Sequence, residues 1–167
     1  MKLQPNEKND LQDQVTQKIG VLLRRETEAR ILIPFLKDLF EVIGKEKTIT
    51  VLEKTIKQVA KTQGEDLSKE YGNNVDAFLE TLKFWTKDGA LEIDILEKSE
   101  SKLSFNVTRC KYAELYNAMG IKDLGAVLSC NRDAALITGF NSDATLDRQE
   151  TIMKGDKCCT FRYKFNK

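Results

Sequence analysis

Apolar positions along the first half of the chain recur at helical spacing. Leu11, Val15, Ile19, Leu22 and Leu23 fall on one side of a helical repeat, with Arg24, Arg25 and Glu26 alongside. The pattern continues through Ile31, Ile33, Phe35, Leu36, Leu39, Phe40 and Ile43, with Pro34 expected to kink or divide it and Gly44 to stop it. A second helix carries Ile49, Leu52, Ile56 and Val59 and is expected to end near Gly64, with a short helical turn to Tyr71. Asn73 or Asn74 is placed to cap a third, which buries Val75, Phe78, Leu79, Leu82 and Trp85.

The period then changes to two. Leu91, Ile93 and Ile95 alternate with Glu92 and Asp94, and after a turn at Glu97–Ser101, Leu103, Phe105 and Val107 alternate with Ser104, Asn106 and Thr108. Helical segments follow over Lys111–Met119 and roughly Lys122–Ile137, stopping at Gly120 and Gly139. A second hairpin, Ala144–Met153 and Lys157–Phe165, turns at Lys154-Gly155-Asp156. The predicted class is α+β: a helical N-terminal half, then a four-stranded antiparallel sheet of two hairpins with the intervening helices packed on one face. The chain reads as a single domain over 1–167, with a helical part at 1–88 and a site-bearing part at 89–167. The amphipathic stretch around Leu11–Leu23 suits packing on its own domain or on a second copy, so a homodimer through the N-terminal helices fits the pattern.

Strand alternation aims particular side chains inward. Arg109 continues the apolar set of the second strand. Arg148 shares a face with Leu146 and Ile152, and Cys159 shares one with Phe161, Tyr163 and Phe165. Arg162 falls on the opposite face of a regular strand, unless a bulge near Cys158 reorients it. A buried guanidinium needs a carboxylate from the protein or from a ligand. Ala126, Cys130, Asp133 and Ile137 line one helix face, so a thiol and a carboxylate point the same way. Asp133 is thus expected to meet Arg148, and Cys130 to approach Cys159. Arg24 and Arg25 read as a solvated helix edge, and Glu114 as a helix-surface carboxylate.

Charge and composition narrow the chemistry. Lys and Arg number 27 against 26 Asp and Glu, so no general field draws nucleic acid or an anionic membrane. The start is polar, and no apolar run is long enough to span a bilayer; a cytoplasmic protein is expected, with its four cysteines reduced. Histidine is absent, which removes Ser-His-Asp and Cys-His catalysis and histidine-based zinc sites. The spacing of Cys110, Cys130, Cys158 and Cys159, with no CxxC pair, does not suggest a metal or an iron–sulfur cluster, and no cofactor is expected.

The run from Val107 to Glu114, then Gly120, Leu124-Gly125, Leu128-Ser-Cys-Asn-Arg-Asp133, Gly139-Phe140, Leu146-Asp-Arg148, Thr151-Ile152, Gly155 and Cys159-Thr-Phe-Arg-Tyr163 resembles the L-2-amino-thiazoline-4-carboxylic acid hydrolase family. The N-terminal half resembles it more loosely, through Arg24-Arg25-Glu26 and Pro34. The resemblance implies a bacterial-type cytoplasmic hydrolase that opens a thiazoline ring. The family usually ends Cys-Asp-Phe-Arg-aromatic, and here Thr160 stands in the Asp place. On this reading Asp133, Cys130 and Cys159 are the candidate catalytic residues. Arg148, Arg109, Arg162 and Thr151 are the candidates for holding a small anionic substrate. The alternative is a non-catalytic binding or sensor module using the same pocket.

Overall fold

A computed structural model describes residues 14–166, so Leu11 lies outside the described residues. Two long helices, α1 (Val15–Ile43) and α2 (Lys45–Tyr71), precede a shorter α3 (Val75–Thr86). Asn74 caps α3: its side-chain oxygen accepts from the Ala77 N–H at 2.9 Å. Val75, Phe78, Leu82 and Trp85 of α3 are buried, and Leu79 is partly so.

Pro34 does not divide α1. It sits inside the helix on the solvent side, as does Arg30, whose carbonyl loses its helical donor, and water can replace that bond there. The break comes instead at Gly20, where φ is 75° and ψ is 170°. That conformation is open to glycine and strained for other residues.

Nor does α2 end at Gly64. It runs on to Tyr71 because Gly64 is the point where a later helix crosses it. A Cβ at Gly64 would lie 2.1 Å from the Leu136 carbonyl oxygen, and one at Gly139 would lie 2.0 Å from that of Lys61. The two glycines therefore serve close backbone approach, and the later helix also passes its expected stop at Gly139 to reach Phe140.

The second half is β1 (Leu91–Lys98), β2 (Lys102–Cys110), α4 (Lys111–Ala118), a helical run, β3 (Ala144–Asp147) and β4 (Cys159–Phe165). The helical run comprises α5 (Lys122–Gly125), a π-turn at Ala126–Cys130 and α6 (Asn131–Phe140). The strands form an antiparallel sheet in the order β1-β2-β4-β3. One sheet face is covered: Leu103, Phe105, Val107, Cys159, Phe161, Tyr163 and Phe165 are all buried. Phe105 stacks on Phe161 at 4.8 Å, and Phe78 of α3 meets Tyr163 edge-on at 4.8 Å. A second apolar cluster lies between α1, α2, α4 and the α5–π segment, around Ile33, Ile56, Tyr116 and Leu128.

Two departures from ideal strands matter for the site. Glu92 pairs with Arg109 but Ile93 pairs with Val107, so Thr108 is an extra residue, a β-bulge that reverses the alternation. Arg109 is turned out and Cys110 in, the opposite of the unbroken alternation. The other departure is that β3 stops at Asp147, short of the expected Met153. Its continuation runs beside β4 without a regular ladder: the N–H groups of Gln149 and Glu150 both donate to the Thr160 hydroxyl, at 3.2 and 3.1 Å.

The α2–α6 crossing gives a direct test. Gly64→Ala, or Gly139→Ala, should destabilise the protein by roughly 1–3 kcal/mol through overpacking, read as a lower urea midpoint. An unchanged midpoint would mean that the two helices do not approach as closely as described.

Candidate functional site

Where α1 and α3 meet the covered sheet face and α6 lies a cavity of about 70 Å³. That is room for a small molecule or for a few waters. Cys130, Asp133, Arg148 and Cys159 all line it. Cys130 and Asp133 arrive from the π-turn and the first turn of α6, Arg148 from the loop after β3, and Cys159 from the start of β4.

The other three sequence candidates lie elsewhere. Arg109, turned out by the bulge, is half exposed and donates to Glu114 at 2.8 Å. Arg162 is on the open face of the sheet. It ties β2 to β4 by donating to the Phe105 and Phe161 carbonyls and to Asn106, each at 2.8 Å. Thr151 is buried beside the 154–156 turn. Its N–H donates to Asp156 at 2.8 Å, and its hydroxyl has no partner among the described residues. None of the three is on the cavity wall.

Cys110, Arg25 and Arg132 also stand on that wall, and none of them follows from strand alternation or from the thiol–carboxylate stripe. Cys110 depends on the bulge, which no local signal announces. The arginines carry a signal in their spacing. Val21, Arg25, Ala29 and Ile33 stand four apart along α1, and Leu128, Arg132 and Leu136 stand four apart through the π-turn into α6. Each arginine thus occupies an apolar stripe, and both are almost fully buried, at 6% and 4% exposure. The reading of Arg25 as a solvated edge is corrected: that face of α1 packs against α3, α4 and the π-turn.

Both guanidiniums converge on Glu28, which accepts from Arg25 at 2.8 Å, from Arg132 at 3.0 Å and from Arg24 at 2.9 Å. Burial works to raise the Glu28 carboxyl, but Arg25, Arg132 and Arg24 outweigh it and hold it below its ordinary value. Arg132 also donates from Nε to the Leu128 carbonyl at 2.8 Å, while its buried Nη1 has no partner among the described residues. Burial, helped by the charge on Arg25, pulls the Arg132 guanidinium down to about 10, still protonated at neutral pH.

Across the cavity Arg148 pairs with Asp133, donates to the Cys130 carbonyl at 2.9 Å and lies over the Phe161 ring at 5.1 Å. Burial pushes the Asp133 carboxyl up against the pull of Arg148. The cavity wall therefore carries three guanidiniums, Arg25, Arg132 and Arg148, against one carboxylate, Asp133, while Glu28 behind it is shared by Arg24, Arg25 and Arg132. Positive charge is in surplus at the wall.

The thiols are held in their neutral form. Burial pushes Cys130 up to about 12 and Cys110 up to about 11. Cys159 is also raised by burial, although its sulfur accepts from the Ile152 N–H at 3.3 Å. Among the described residues, no group of three or more acidic, cysteine or histidine side chains is placed to hold a metal ion. No helix there is long and apolar enough to cross a membrane.

A family model described as L-2-amino-thiazoline-4-carboxylic acid hydrolase matches residues 24–163. No curated protein matches the chain. Among solved structures, the phenol-responsive sensory domain of the transcription activator PoxR, with phenol, is similar at 12% identity and a TM-score of 0.50, covering 86% of this chain and 75% of that one. That likeness is one of fold. A trafficking protein particle complex subunit 3 from Naegleria fowleri, covalently bound to palmitic acid, aligns at 12% identity and a TM-score of 0.48, over 87% of this chain and 96% of that one.

Two measurements check the site's electrostatics. Glu28, depressed in the folded state, contributes stability that is present above its unfolded value of about 4.3 and is lost as pH falls through the folded value. Glu28→Gln should cost roughly 2–3 kcal/mol at neutral pH, less than for a fully buried pair because Glu28 keeps some exposure. It should also flatten the acid limb of the pH–stability curve; an unchanged limb would sink the cluster. Iodoacetamide at pH 8 should label Cys110 and Cys130 only slowly, with rates climbing toward pH 10. Fast labelling of either at pH 8 in the native protein would contradict the burial described.

Proposed function

Because the chain belongs to the L-2-amino-thiazoline-4-carboxylic acid hydrolase family, we propose that its central cavity binds a small carboxylate and opens a cyclic amidine by hydrolysis of a C–N bond. The observation that carries this reading is the pair of almost fully buried guanidiniums on the cavity wall, Arg25 and Arg132, which share one carboxylate, Glu28, and leave positive charge in surplus there. An anionic ligand supplies the countercharge that these guanidiniums lack.

Arg25 and Arg132 hold the substrate carboxylate. Arg148 is already engaged by Asp133, the Cys130 carbonyl and the Phe161 ring, so it serves as a positioning residue. It fixes the carboxylate of Asp133 toward the cavity. Asp133, raised by burial, is a stronger base than an exposed aspartate and takes a proton from water. The water oxygen adds to the amidine carbon and the ring nitrogen receives the proton; the tetrahedral adduct then collapses to a carbonyl, the remaining hydroxyl proton passes to the ring nitrogen, and the C–N bond breaks. The three thiols, all raised by burial, line the cavity as neutral groups in this scheme, and water is the nucleophile.

Binding without turnover is the second reading, favoured by the Asp133–Arg148 ion pair, which engages the base. Ring opening of 2-amino-thiazoline-4-carboxylate by the purified protein decides between them. Turnover is expected, with activity falling as acidification protonates Asp133 at a pH above the ordinary aspartate range. Arg132→Leu should raise KM by about 10- to 100-fold, and Asp133→Asn should lower kcat by about 100-fold or more. Saturable binding with no product would leave only the second reading. Full activity in Asp133→Asn would remove Asp133 as the base.

A further inference from the structure

A second cavity, also of about 70 Å³, lies between α1, α2 and α3. Val21, Arg25, Trp85 and Leu136 belong to the walls of both cavities, so the two are separated by one layer of side chains. Arg25 stands in that layer with a single hydrogen bond among the described residues, from Nη1 to Glu28. Its other N–H groups are free to meet a ligand at the boundary.

The outer cavity differs in chemistry from the inner one. Phe84, Trp85 and Leu67 give it flat apolar surface, and Gln63 adds an amide. Asp66 and Glu70 line it opposite Arg24 and Arg25, so its charges balance and it has no positive surplus to offer a second anion. Its cover is the first turn of α1, set off from the rest of the helix by the Gly20 break. That turn is held by polar tethers: Gln17 to Glu70 at 2.8 Å, Arg24 to Thr16 at 2.8 Å, and Lys87 to the Lys18 carbonyl at 2.6 Å. The Gln17 and Lys87 bonds are exposed, and each is worth little alone.

We propose that the outer cavity is a second compartment of the anion site, and that the ligand is a monocarboxylate carrying an uncharged aromatic or cyclic substituent that spans both. This rests on the carboxylate reading above. The acid sits between Arg25 and Arg132, and the substituent passes the Arg25–Trp85 boundary to lie against Trp85 and Phe84.

Calorimetric titration with 2-amino-thiazoline-4-carboxylate and with its 2-benzylamino analogue tests the proposal. The unaltered protein should bind the analogue at least 10-fold more tightly than the parent. Leu67→Trp and Thr16→Phe fill the outer cavity from α2 and from α1, and either should abolish that gain while leaving parent affinity within about 2-fold. Parent binding with no gain for the analogue overturns the two-compartment proposal and leaves the anion site standing. Equal loss of both ligands in the filled variants overturns it as well. Failure of the unaltered protein to bind either ligand overturns both readings.

Discussion

One carboxylate shared by the arginines of two distant helices sets the terms for this structure. Glu28 and Arg25 belong to α1, Arg132 to α6, and 104 residues separate Glu28 from Arg132. Two guanidiniums as deeply buried as Arg25 and Arg132 are tolerable only with a charged partner. Glu28 satisfies both incompletely, since one acid cannot neutralise two bases. The N-terminal helices are thereby bound to the sheet-bearing half, and the wall of the central cavity is left electropositive. A fold that buried only apolar side chains here would be easier to stabilise, but would have nothing with which to hold an anion.

The backbone supplies the precision. The glycine crossing of α2 and α6 brings the first turn of α6 up against α1 and the sheet. The π-turn preceding it adds a residue to the helical repeat, so that Ser129, Cys130, Arg132 and Asp133 all reach the same cavity. The bulge at Thr108 exchanges a charged residue for a thiol on the facing strand. Irregularities of this kind gather where side chains must be re-aimed.

Thr160 illustrates how a departure from a family pattern acquires meaning from its place. Its hydroxyl accepts from two backbone N–H groups of the loop that carries Arg148. It does not line the cavity. An aspartate there has the same acceptor capacity for the same two donors. The exchange therefore falls on the support of the loop rather than on the cavity wall, and Arg148 is positioned with threonine in that place.

Much of this was legible in the residues alone. Helical spacing, the change to a period of two after Ala90 and the turn residues pointed to the α+β class, the four strands and a cap at Asn73 or Asn74, because these depend on local periodicity. The convergence of Asp133 and Arg148 followed from helix and strand geometry together, and the dense motif between Val107 and Tyr163 pointed to the family. Tertiary structure alone decided the rest. Gly64 and Gly139 look like stops until another helix needs their missing side chains. Arg109 looks buried until a bulge turns it outward. Arg25 looks solvated until α3 and α4 cover it. In each case the local pattern permits two outcomes, and the choice is made by backbone approach or burial against a segment far away in the chain, which no local window contains.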